Sequence, residues 1–153
     1  MLTEQQINNL IGRLMKFEKW SDRKKIDHIA EKIMGWRKGV YKQGMKEFPF
    51  RLPPNQPCWI DKNGQPIHYA GKKGSETDLG WNPLVNQYGA LDEVLRELIR
   101  ESQHDRKRWE KFIEIIEMLL LHVFEKEVKT ENIVLFMASP QNICRALAFL
   151  PEE

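Results

Sequence analysis

Trp36, Trp59 and Trp81 stand with Arg37, Lys38, His68, Lys72 and Lys73 inside one stretch of the chain, Gly35 to Pro83. Aromatic faces stack on nucleobases, and lysine and arginine neutralise phosphates, so this set suits a small nucleotide or a strand of nucleic acid. The stretch also holds seven of the nine glycines and six of the eight prolines. Its eight Lys/Arg against four Asp/Glu give a local charge of +4 in a chain whose total is +2. The competing reading is structural. Trp36 and Trp81 each follow a glycine at the end of an element, where an indole can plug the core over a helix terminus.

Other chemistry finds little footing. None of His28, His68, His104 and His122 lies three or four residues from another His or Cys, and no C-x-x-C is present, so no metal site is expected. Cys58 and His68 approach each other in the expected hairpin but fall on opposite faces, which argues against a Cys–His nucleophile. Cys144 sits among Ile143, Ala146 and Leu147 and reads as a core thiol. Gly71-Lys72-Lys73-Gly74-Ser75 has the freedom and charge to wrap a phosphate but lacks the Walker spacing; the other reading is a solvated, mobile loop. Glu114, Glu117, Glu125 and Glu127 have no opposing partner in sequence and read as solvent-facing charges. No catalytic residue and no cofactor is expected, and an enzyme is the least favoured of the readings.

The elements that must position these residues follow from period and punctuation. Thr3 with Gln6 is a capping box, and Ile7, Leu10, Ile11 and Leu14 give a helical stripe ending near Phe17 to Trp20. Ser21 caps a second helix with stripe Ile26, Ile29, Ala30, Ile33 and Met34, closed by Gly35. Its basic run Arg23-Lys24-Lys25 reads as a solvated face. The proline-rich Pro53 to Pro57 cannot be helix interior. Asn63-Gly64 then signals a type I′ hairpin pairing Ile60 with Ile67, Trp59 with His68 and Cys58 with Tyr69. Alternation puts Cys58, Ile60, Ile67 and Tyr69 on a face against the helices, and Trp59, Asp61, Pro66 and His68 on a wet one. Asn82-Pro83 opens a helix with stripe Leu84, Tyr88, Leu91, Leu95, Leu98 and Ile99. The next helix, Trp109 to Val123, is apolar nearly all round once Ile115, Met118 and Leu121 are counted; such a helix is central or buries a second face in a partner. Asn132 to Ala138 is strand or helix turn, and Ser139-Pro140 opens the last helix.

The 153 residues suit a single α+β domain: about five helices around a small antiparallel hairpin or sheet. No apolar run approaches the ~18 residues of a membrane span, the polar N-terminus shows no signal peptide, and two cysteines suit a reducing compartment. The spare face of the 109–123 helix predicts a homodimer or higher oligomer.

Four segments in order carry a resemblance: HIAEKIMGW from His28 to Trp36, WIDKNG from Trp59 to Gly64, GWNP from Gly80 to Pro83, and ASPQNICRAL from Ala138 to Leu147. The chain resembles the phage ABA sandwich family of small phage and prophage proteins, over roughly residues 24–100 and 138–150. It departs from the family pattern in an additional N-terminal helix, residues 1–21, and in the apolar helix where many relatives show a strand pair. The resemblance implies a phage-encoded accessory protein of the host cytoplasm and brings no catalytic residue. The expected function is therefore binding: a small nucleotide-like ligand held by the Trp/basic set, such as a signal of host antiviral defence. The alternative is a host or phage protein engaged as an inhibitor or assembly factor through the 109–123 helix.

Overall fold

The computed structural model describes residues 3–42 and 55–150. The proline-rich start at Pro53-Pro54 lies outside the described residues. Among those described, six helices surround a three-stranded antiparallel sheet, so the chain is a helix-rich α+β domain. The helices are α1 (Glu4–Lys19), α2 (Asp22–His28, running on as a π-helical turn, Ile29–Ile33), α3 (Ala90–Ser102), α4 (Lys107–His122), α5 (Thr130–Met137) and α6 (Pro140–Leu147). The strands β1 (Arg37–Val40), β2 (Pro57–Ile60) and β3 (Pro66–Tyr69) lie in the order β1-β2-β3.

The helix starts are where the punctuation puts them. Thr3 and Gln6 exchange both bonds of the capping box. The Ser21 and Ser139 side chains accept from Lys24 and Asn142 backbone amides, each satisfying an orphan donor of the first turn. Asn82 likewise accepts from Leu84, but the helix it opens stops after one 3-10 turn, Pro83–Val85. Asn86 and Tyr88 both take left-handed backbone, and a second 3-10 turn, Gln87–Gly89, precedes α3. The Asn86 Oδ1 reaches across to accept from the Leu91 and Asp92 amides and caps α3 from outside. Tyr88, expected in the inward stripe, is thereby extruded and 98% exposed. Ile99, expected inward too, is exposed.

The hairpin also differs from expectation. Asp61 N–H donates to Gln65, and Gly64 N–H donates back to the Asp61 carbonyl. Only Gly64 of the Asn63-Gly64 pair has positive φ, at 80°. This is the three-residue loop with a left-handed glycine, not a type I′ turn. The Asp61 carboxylate stiffens it by accepting from the Asn63 and Gln65 amides. The extra loop residue moves Ile60 opposite Pro66; a bulge then restores Trp59 opposite His68 and Cys58 opposite Tyr69. Ile67 is the unpaired residue and packs against the main core.

Burial reverses the expected faces. β1 pairs with β2 on its other side, so β2 is central, and Cys58, Trp59 and Ile60 are all fully buried. Trp59 belongs to the main core with Trp36, Ala70 and Trp81, whereas Cys58 and Ile60 lie outside that cluster. The face carrying Trp59 is thus the one against the helices, and it is dry at its centre. A central strand is apolar on both sides, so alternation cannot orient it.

α4 is the central helix. Ile115 and Met118, two of the three residues that suggested a partner, are buried within the chain by α3, α5 and α6; Leu121 remains 52% exposed. Asn132 to Ala138 resolves as helix within α5. No helix among the described residues is long and apolar enough to cross a membrane.

Candidate functional site

The π-helical turn ends at Gly35 and delivers Trp36 to the edge of the sheet. β3 supplies His68, the Gly80 turn supplies Trp81, and the first turn of α3 supplies Glu93. The Trp36 and Trp81 ring centroids are 4.8 Å apart at 64°, edge to face. His68 stacks on Trp81 at 5.9 Å and leans on Trp36 at 5.5 Å. Its Nε2 lies 2.8 and 3.1 Å from the two Glu93 carboxylate oxygens. The Trp81 indole N–H donates to the same carboxylate at 3.1 Å. Both indoles are buried; His68 and Glu93 are half-buried.

The Trp81 position depends on a close backbone approach. A Cβ on Gly80, which has φ +68, would stand 2.3 Å from the Tyr69 carbonyl oxygen and 2.4 Å from the Gly71 nitrogen. Only glycine lets the two ends of the 71–80 loop meet and the Trp81 amide donate to Tyr69.

The expected set is brought together in part. Lys38, Trp59 and His68 form one cross-strand row. Lys38 Nζ stands 5.0 Å over the Trp59 ring and pairs with Asp27 at 2.8 Å, so its charge is already matched. Arg37 does not join it: strand alternation puts it on the opposite face, beside Ile60, where its charge slightly offsets the burial that pushes the Cys58 thiol up. Trp59 offers no face to solvent. The expectation of an exposed, aromatic-floored pocket is overturned by the third strand, which places Trp59 at the centre of the sheet.

Lys72 and Lys73 are exposed, but their loop is built rather than slack. The Arg23 guanidinium reaches from α2 into the loop and donates to four carbonyls, those of Ala70 (3.3 Å), Lys72 (3.0 Å), Ser75 (2.8 Å) and Asp78 (3.1 Å). Arg23, read as a solvated helix face, is the organiser of the loop. The loop amides are used internally: Lys72 N–H donates to Asp78, Ser75 N–H to Lys72, and those of Thr77 and Asp78 to the Ser75 hydroxyl. A phosphate cradle would need those four amides free. The Tyr69 phenol, held above its ordinary range by desolvation and then by Asp78, ties down the far side.

Glu93 is the site residue that the sequence did not announce. It sits in an ordinary acidic first turn of a helix, and its partners lie 12 and 25 residues away. Chemically, the carboxylate orients His68 as a base-and-orienter pair would. Among the described residues no hydroxyl or thiol hydrogen-bonds His68, and burial pushes the Cys144 thiol up to about 12. A nucleotide phosphate here would meet Glu93. No three His, Cys, Asp or Glu side chains among the described residues converge for a metal. No protein family, curated protein or solved structure matches the chain.

Proposed function

We propose that this chain is a phage-encoded accessory protein that works by binding another protein, through the end of the molecule built by the close of α4, the following turn and α5. The observation that carries this reading is the concentration of exposed large apolar side chains there. Leu121, Val123, Phe124, Val128, Val134 (62% exposed) and Leu135 (66%) all fall within residues 121–135. Apolar side chains clustered on an otherwise charged surface mark interaction sites. The turn between the helices carries Glu125, Lys126, Glu127 and Lys129, a mixed polar rim of the kind that surrounds such patches. The phage setting comes from the family resemblance.

The nucleotide reading has less to stand on. It needed three open indole faces and unmatched lysines; the indoles are buried, Lys38 is paired with Asp27, and Glu93 adds negative charge. The two readings part in one experiment. Tagged protein and a Leu121→Glu/Leu135→Glu variant are passed over lysates of infected and uninfected cells, and the eluates are examined for protein and for 260 nm absorbance. A partner retained by the native protein and lost by a variant of unchanged circular dichroism and melting temperature is expected. A partner retained equally by the variant, or a co-purifying nucleotide released by His68→Ala, overturns the proposal.

A further inference from the structure

The apolar patch at residues 121–135 has a charge of its own, and that charge narrows what can cover it. Residues 114–135 hold five glutamates and two lysines, a local −3 in a chain of net +2. Glu127 is paired with Lys129 at 3.6 Å. Among the described residues Glu114, Glu117, Glu125 and Glu131 have no ion-pair partner, against a single unmatched cation, Lys126. The helical repeat sets two of these carboxylates in line with the patch. Glu114, Glu117 and Leu121 are spaced i, i+3 and i+7, so they run along one face of α4 over about 10 Å. That face is the solvent one: Glu114 and Glu117 are half-exposed and Leu121 is exposed, while Phe112, Ile115, Ile116 and Leu119 turn inward.

The apolar patch is the site, and the carboxylates decide its occupant. A neutral or acidic partner laid over Leu121 would strip water from Glu117 and Glu125 and give nothing back, which is costly for an ionised group. A partner with cations beside its apolar face pairs them instead. Glu125 fits the same account. It takes φ 54 at the end of α4, where glycine is the usual residue and where the helix dipole favours a cation. We infer that the partner presents an amphipathic helix with lysine or arginine flanking its apolar face. Aligned with α4, such a helix sets an apolar side chain against Leu121 and its cations one and two turns away, against Glu117 and Glu114. Amphipathic helices dock through anchors at i, i+3 or i+4, and i+7, the spacing that this face of α4 displays. Apolar contact supplies the affinity, and the carboxylates reject acidic helices. The inference rests on the reading of residues 121–135 as a protein-docking surface and adds the chemistry of the partner.

Two synthetic peptides of about 18 residues, long enough to form a helix, test this. They share one leucine spine; one carries lysine at its polar positions and the other glutamate. Fluorescence anisotropy of the labelled peptides gives Kd at low and high salt. The lysine peptide is expected to bind at least about tenfold tighter than the glutamate one, with the gap closing as salt screens the exposed charges. Glu114→Gln/Glu117→Gln is expected to weaken the lysine peptide by about tenfold at an unchanged melting temperature. Leu121→Gln/Leu135→Gln, which removes apolar contact and adds no charge, is expected to weaken both peptides. Failure of the lysine peptide to bind, or equal binding to the native and Glu114→Gln/Glu117→Gln proteins, overturns the inference. Equal binding of the two peptides, lost in Leu121→Gln/Leu135→Gln, overturns the inference alone, because the patch then docks a helix without choosing its charge. Binding indifferent to Leu121→Gln/Leu135→Gln overturns the docking reading with it.

Discussion

Arg23→Ala tests whether the 71–79 loop is ordered from outside itself. The guanidinium donates to four carbonyls at 2.8 to 3.3 Å. The bonds to Ala70 and Ser75 are partly buried, and those to Lys72 and Asp78 are exposed. Water replaces the exposed pair at little cost. A partly buried bond from a charged donor is worth about 1–1.5 kcal/mol after that discount, so the substitution is expected to cost about 2–3 kcal/mol. Arg23→Lys delivers its donors from one point and cannot span the ring of carbonyls, so it recovers only part, leaving about 1–2 kcal/mol lost. Urea unfolding followed by tryptophan fluorescence gives the global figure. Trypsin gives the local one: the bonds after Lys72 and Lys73 are protected in the native loop and open in Arg23→Ala. A loss below about 0.5 kcal/mol, the level of an ordinary surface substitution, refutes the reasoning. So does equal cleavage at Lys73 in the two proteins, since the loop would then be held by its own turns.

Gly64→Ala is expected to cost about 1 kcal/mol because a Cβ is disfavoured at φ +80, while Asn63→Ala costs only a few tenths; equal costs in urea titrations would restore the type I′ turn. Stability is expected to fall as pH rises from 9 toward 12. The Cys144 thiol is moved from 9.0 to about 12 by desolvation, so the folded state holds its proton where the unfolded state releases it. The contribution is intact below the unfolded value and declines as pH climbs to the folded one, by up to about 4 kcal/mol. Cys144→Ala should flatten the fall between those limits, and parallel curves for the two proteins would refute the assignment.

Local rules were readable in the chain wherever a short-range bond enforces them. Thr3 with Gln6, Ser21 and Ser139 announce their helices because each cap is satisfied within three residues, whereas Asn82 opens only a single 3-10 turn. β1 was not readable, since Arg-Lys-Gly-Val has no apolar alternation and only one branched side chain, Val40; its pairing partner fixes it. Missing β1 made β2 an outer strand with a wet face, and the error over Trp59 follows from that one omission. Tyr88 fits a helical stripe by spacing, but the helix opened at Pro83 stops after one turn and restarts only at Ala90, where the Asn86 side chain caps it. At the site, Trp36, His68 and Trp81 converge as their common stretch suggested. Arg23 and Glu93 stayed hidden because their partners lie 47 to 55 and 12 to 25 residues away, where a single charge in a helix carries no directional signal.

The edge-to-face contact of Trp36 with Trp81 gives the protein an optical signature of its own. Two indoles at 4.8 Å and 64° couple their transition dipoles and split the absorption they share. The resulting couplet in circular dichroism depends on both separation and angle, unlike the helical backbone signal on which it is superposed. Trp36 reports the close of the π-helical turn, and Trp81 reports the start of the α3 approach. Loss of the couplet before the helical signal would therefore mark the moment at which the sheet parts from its helices, with no label added to the chain.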